Sequence, residues 1–213
     1  FSFVSGQYRA HSDAAGVLPQ PGTIFGVRYQ WLVGGPANIV GELSRVSSER
    51  RVLDPDLPGA CPPTPPRDCK LISVYRWPLY IADFGLALNL TGSRSYRHFV
   101  PEGRAGLGLV SDFHSVADVG EFSFGSRMFV SYGMALRWMP TGRTQLRVEF
   151  LNRAHTAKYP ETYYALAPDS SRILTRLQSD SLCAVKGCTS SSQPSFWLNN
   201  RSLTIGLSWL FGR

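Results

Sequence analysis

The chain has 213 residues, 43% hydrophobic, 12% aromatic and 17% charged, with a formal net charge of +7. The length suits one domain over residues 1–213, and no run approaches the roughly 18 consecutive apolar residues of a membrane helix. The positive charge is mostly arginine, scattered without any helix-turn-helix, finger or RNA-binding signature, which argues against a nucleic-acid partner.

What recurs instead is alternation with a period of two, the signature of half-buried strands. Ser2 to Arg9 supplies a first strand whose register is poorly set. Thr23 to Val33 puts Phe25, Val27, Tyr29 and Trp31 on one face and Gly26, Arg28 and Gln30 on the other. Gly34-Gly35-Pro36 turns the chain. Asn38 to Val46 returns, with Ile39 and Leu43 opposite Glu42 and Ser44. A proline-rich loop then runs from Ser48 to Cys69.

Leu71 to Leu90 is the longest strand candidate, with Tyr80, Phe84, Leu86 and Leu88 opposite Asp83, Gly85 and Asn89. Pro78 marks a bulge or an exit point within it. After a polar turn at Gly92, Phe99 to Val110 places Ala105, Leu107 and Leu109 against Glu102, Arg104, Gly106 and Gly108. A loop from Ser111 to Glu121 leads to Phe122–Met139, where Met128, Val130, Tyr132, Met134, Leu136 and Trp138 oppose Arg127, Ser131, Gly133 and Arg137. Pro140 to Gly142 turns the chain into Thr144–Arg153, with Leu146, Val148 and Phe150 against Arg147 and Glu149. A very long connection reaches the last strand, Leu203 to Phe211, whose apolar face is Leu203, Ile205, Leu207, Trp209 and Phe211.

Eight strands with large apolar residues on one face and charges on the other suit a membrane-spanning barrel, which hides its hydrophobicity in alternate positions. The expected fold class is therefore all-β, a closed eight-stranded antiparallel transmembrane barrel. Leu86, Leu107, Met134, Leu136, Leu207 and Trp209 should face lipid, with Leu86, Met134 and Leu207 near mid-membrane. An even strand number puts both termini at one rim, with three short turns on the periplasmic side. Four longer connections, near Ala14, Leu57, Ala117 and Val185, fall outside. Trp31, Trp138 and Trp209 should form an inner aromatic girdle, and Tyr75, Trp77 and Trp197 an outer one.

This arrangement resembles the small eight-stranded outer-membrane barrels of the OmpA and OmpX kind. The final strand is similar to their assembly signal, although Gly212 and Arg213 follow Phe211. The resemblance implies a bacterial outer-membrane location. No signal peptide is present, so Phe1 is expected to follow a removed export signal or an unresolved segment.

An eight-stranded barrel is just wide enough for its side chains to fill. The inward Arg28, Arg104, Arg127, Arg137 and Arg147 should therefore pair with Glu42, Asp83, Glu102 and Glu149 as a network that plugs the lumen. Cys61, Cys69, Cys183 and Cys188 lie in predicted outer loops without zinc spacing. Local Cys61–Cys69 and Cys183–Cys188 bonds are the preferred reading, with the other connectivities open. The last connection also carries Tyr159, Tyr163, Tyr164, Leu166, Ile173, Leu174 and Leu177, which need cover from one another or from a partner.

Chemistry-bearing residues are sparse. Asp112, His114, Asp118 and Glu121 share one outer loop, and His11 and Asp13 another; solvated loop residues are the simpler reading. Lipid-A deacylases of similar fold use a His and a Ser near one strand end, but Thr156 and Ala157 follow His155 here. Neither a G-x-S-x-G elbow nor an H-E-x-x-H motif occurs. The sequence thus points to a non-enzymatic barrel with no cofactor and no metal. Its expected partners are outer-membrane lipid and lipopolysaccharide, and an envelope or surface protein met through the loops. The rivals are a narrow solute pore, an outer-membrane lipid or peptide hydrolase, and a soluble lipocalin-like barrel with its apolar face inward.

Overall fold

The computed structural model describes residues 1–11, 15–54, 56, 70–92, 95–114, 116–140, 144–160, 163–165, 174–175 and 195–209. Among them are β1 (Ser2–Arg9), β2 (Gly22–Gly34), β3 (Ala37–Ser47), β4 (Glu49–Leu53), β5 (Leu71–Arg76) and β6 (Leu79–Asn89). There follow β7 (Phe99–Ser111), β8 (Ser126–Trp138), β9 (Thr144–Ala157), β10 (Tyr164–Ala165), β11 (Leu174–Thr175) and β12 (Phe196–Trp209). Eight of these close a barrel in the order β1-β12-β9-β8-β7-β6-β3-β2, every neighbour antiparallel.

The wall is built inside out. Leu86, Leu107, Met134, Leu136 and Leu207 are 45–66% exposed on the outer face, while Asp83, Glu102 and Arg104 are buried within and Arg127 and Arg137 are half-buried. Soluble monomers rarely expose an apolar patch of more than a few hundred Å², and here the apolar face runs along all eight strands. That wall needs lipid as its solvent, and it overturns the lipocalin-like alternative. Strands of 11–14 residues in all but β1 are long enough to cross. The side chain of Trp209 lies outside the described residues.

Three boundaries differ from the sequence reading, each for a local reason. Leu71–Leu90 is two strands: Pro78 has no N–H to donate, and Trp77 N donates to Ser48 O at 2.8 Å as the last bond before it. Upstream of that break β5 pairs with β4 in a separate hairpin above the barrel. The strand expected from Phe122 starts at Ser126, because Gly125 at φ 62° turns the chain and sends Phe122 and Phe124 inward. The last strand begins earlier, at Phe196, where the outward residues Asn199 and Arg201 dilute the alternation. Leu207 sits opposite Leu146, itself opposite Trp138, close to the short-turn rim rather than at mid-membrane.

The interior has two layers. One is charged and lines the lumen. The other is apolar and lies toward the long-loop rim, where Tyr8, Ile24, Val46, Leu79, Ile81, Val110, Phe129 and Leu198 meet Val17, Leu18, Phe122, Phe124, Tyr159 and Tyr163 from the loops. Gly108 makes room for this junction, since a Cβ there would lie 2.3 Å from the Phe129 ring.

Candidate functional site

Six strands contribute to the charged layer. Glu42 on β3 receives Arg28 from β2, with Nε at 3.0 Å, together with Arg104 from β7 at 3.1 Å and Arg153 from β9 at 3.3 Å. Glu149 on β9 receives Arg28 at 2.5 Å and both Arg104 and Arg147 at 2.8 Å. Glu102 on β7 pairs with Arg137 of β8 at 3.0 Å and closely with Arg147. Asp83 on β6 lies 3.2 Å from Arg104 and 3.7 Å from Arg153, and accepts a bond from Ser131 Oγ at 3.0 Å. Each carboxylate thus touches at least two guanidiniums, and Arg104 alone links three of them.

The planar guanidinium suits such bridging because its donors fan out in a fixed fork. β1 and β12 complete the ring with small polar groups: Ser2 and Ser208 share a 2.6 Å bond, and Ser202 Oγ accepts from Arg153 at 2.7 Å. Arg127 stands apart from the lattice. It lies at the outer end of β8 and donates to the carbonyls of Phe124 at 3.1 Å and Thr156 at 3.2 Å. Arg153, by contrast, joins the lattice although the sequence reading did not place it there. Its signal was present: it shares the inward parity of Arg147 and Glu149 on a strand that continues to Ala157.

Above the lumen a second cluster forms on Arg50 of β4. Its Nη2 donates to Asp118 Oδ2 at 2.6 Å and to Phe122 O at 2.9 Å, and Nη1 lies 3.8 Å from Asp112. Its guanidinium also sits over the rings of Trp77 (5.5 Å) and Phe122 (5.1 Å). Trp77 is therefore packed into the crown rather than a member of an outer girdle; Tyr75 and Trp197 are exposed. Asp118 also accepts the Phe122 amide at 2.9 Å, which closes a tight turn. Burial pushes the Asp118 carboxyl above the ordinary carboxylate range, and Arg50 with the Phe122 amide offsets only part of that.

Several of the loop residues that could suggest catalysis are turned to other partners. Asp112 and Asp118 converge on Arg50. His114 packs its ring 4.0 Å from Trp77, with Nδ1 3.0 Å from the Asp112 carbonyl. Glu121 is exposed at φ 64°. His11 donates its amide to Asn200 Oδ1 at 2.8 Å. His155 is buried edge-on to Phe124 with a centroid separation of 6.1 Å. Among the described residues no group of three or more His, Cys, Asp or Glu could hold a metal ion. Cys61, Cys69, Cys183 and Cys188 lie outside the described residues, as do Asp13, Leu166, Ile173 and Leu177.

A closed antiparallel eight-stranded wall, apolar outside and lined by paired charges, defines a small transmembrane β-barrel of the architecture the sequence pattern suggested. No protein-family model and no curated protein sequence matches the chain. Among solved structures it is similar to Ail, the attachment invasion locus protein of Yersinia pestis. The Ail crystal structure in complex with the heparin analogue sucrose octasulfate gives a TM-score of 0.44 at 12% identity, covering 99% of this chain and 97% of that one. A second Ail crystal structure gives 0.41 at 11% identity with the same coverage.

Proposed function

We propose that residues 1–213 form one bacterial outer-membrane barrel domain whose lumen is closed by the arginine–carboxylate lattice. Its work is structural or binding, and is done by the outer crown. The observation that carries this reading is the lattice itself: four carboxylates and five arginines from six strands, all buried but the half-buried Arg137, filling the width a solute would need. Within this reading Leu86, Leu107, Met134, Leu136, Leu207 and Trp209 meet lipid. The long connections are braced by Cys61–Cys69 and Cys183–Cys188 and presented to lipopolysaccharide or to a partner protein. No step of catalysis is assigned, because Asp112 and Asp118 are engaged by Arg50 and not by an imidazole.

Three measurements test this. Cell fractionation with heat-modifiable gel migration should place a folded barrel in the outer membrane. Planar-bilayer recording of the purified protein should then show no steady single-channel current; a reproducible conductance would overturn the closed lumen in favour of a narrow pore. Peptide mapping without reduction decides the cysteine pairing, and a fragment joining Cys61 to Cys183 rejects local bridges.

A further inference from the structure

We infer that the outer wall over β2, β3 and β6 carries a binding site for a phosphorylated, acylated glycolipid of the outer leaflet, with Arg45 at its head. This rests on the outer-membrane reading above, which makes the long-connection rim the outer one. The wall there is not a smooth cylinder. Gly41 and Ala82, both outward, form the floor of an apolar furrow of about 560 Å³ flanked by Val27, Leu43, Phe84 and Leu107. The furrow continues past Val27 and Leu43 into a second depression of about 620 Å³ that ends at Phe25, Arg45 and Tyr80. Both volumes fall in the size range of small-ligand sites. From Gly41 to Arg45 the strand rises roughly 14 Å at about 3.4 Å per residue.

The charge at its end is what names the occupant. Arg45 is outward and exposed, two residues before β3 ends at the long-connection rim. Register sets it between Phe25 and Tyr80, and its guanidinium lies 5.9 and 6.0 Å from their rings. The aromatic faces hold the cation in place while leaving its N–H edge for an anion. No carboxylate of the described barrel strands competes, since Glu42, Asp83, Glu102 and Glu149 are all buried inside.

The same rim carries Arg9 and Arg201, exposed and directly opposite each other on β1 and β12. Like charges opposed across a ladder are unfavourable unless an anion lies between them. An apolar furrow ending in an exposed arginine matches an acyl chain ending in a phosphate-bearing headgroup, and guanidinium is well suited to phosphate.

The test uses the full chain in phosphatidylcholine nanodiscs doped with hexa-acylated, bis-phosphorylated lipid A, with its dephosphorylated form, or with phosphatidylglycerol. Retained lipid is counted by native mass spectrometry. The parent should enrich phosphorylated lipid A about tenfold over the other two. Arg45→Gln should abolish that preference, and Arg45→Lys should restore part of it. Gly41→Phe should lower retention of both lipid A forms, because a Cβ at Gly41 meets nothing within 4 Å and the ring fills the furrow without disturbing the fold. Equal retention of all three lipids by the parent, or parent-like enrichment in both Arg45→Gln and Gly41→Phe, overturns the site. Failure of the parent to insert into bilayers at all would overturn the outer-membrane reading along with it.

Discussion

A single side chain in this barrel is worth what its face makes it worth. Met134 is 66% exposed on the outer wall near the middle of β8. An arginine there should cost about 2–4 kcal/mol of folding stability in lipid, whereas near the interface the cost falls to about 0–1 kcal/mol. Leu207, two residues from the end of β12, should therefore tolerate arginine better than Met134, and urea unfolding in liposomes would rank the two. On the inner face the logic inverts. Glu42→Gln leaves Arg28, Arg104 and Arg153 short of a counter-charge, and breaking a buried pair this way costs about 3–5 kcal/mol. A midpoint unchanged from the parent would mean that water reaches the lattice and screens it. These faces were legible in the sequence because parity alone assigns them. What parity could not assign was partnership: Arg127 has the inward parity of Arg137, yet its height on β8 brings it to carbonyl oxygens instead of carboxylates.

At the scale of elements, alternation located the barrel strands and failed where both faces are apolar. Leu79, Tyr80 and Ile81 read as one greasy run, because the inner face there meets the crown and not the charged layer. The apolar junction between strands and loops was accordingly missed as a unit. So was the β4–β5 hairpin, since only pairing partners distinguish it from a continuation of β6. Arg50 on that hairpin anchors the connection between β7 and β8, so Arg50→Met should expose residues 112–125 to limited proteolysis while the barrel keeps its heat-modifiable migration. The pH dependence of that anchor follows from Asp118, whose folded carboxyl is raised by burial. Its contribution to stability is fully present below the ordinary carboxylate range and is lost as pH rises through the raised value. Protection of the loop should therefore decline across that window in the parent. In Asp118→Asn the decline should flatten, and an unchanged slope would assign it to another group.

At the scale of the whole molecule, closure of the barrel and order in the crown are separable, because different contacts supply them. The seam between β9 and β12 is paired along all 14 residues of β12, and β1 closes on the other side of the same strand. Neither ladder uses the connection between Ala157 and Phe196. Deleting residues 176–194 halves that connection and removes Cys183 and Cys188 with it. Loop-closure entropy changes by only about 0.6 kcal/mol for such a halving, in the stabilising direction. Phe122→Ala should behave oppositely. That ring is 1% exposed between Arg50, Tyr159 and Tyr163, and truncating a buried phenylalanine costs about 3–5 kcal/mol. The deletion should therefore leave the folded gel band and the unfolding midpoint of the barrel in place. The single substitution should loosen the mouth, seen as faster amide exchange at Val110, Phe129 and Leu198. If the deletion instead prevents assembly, the last long connection is part of the folding framework, and the division between wall and crown is wrong.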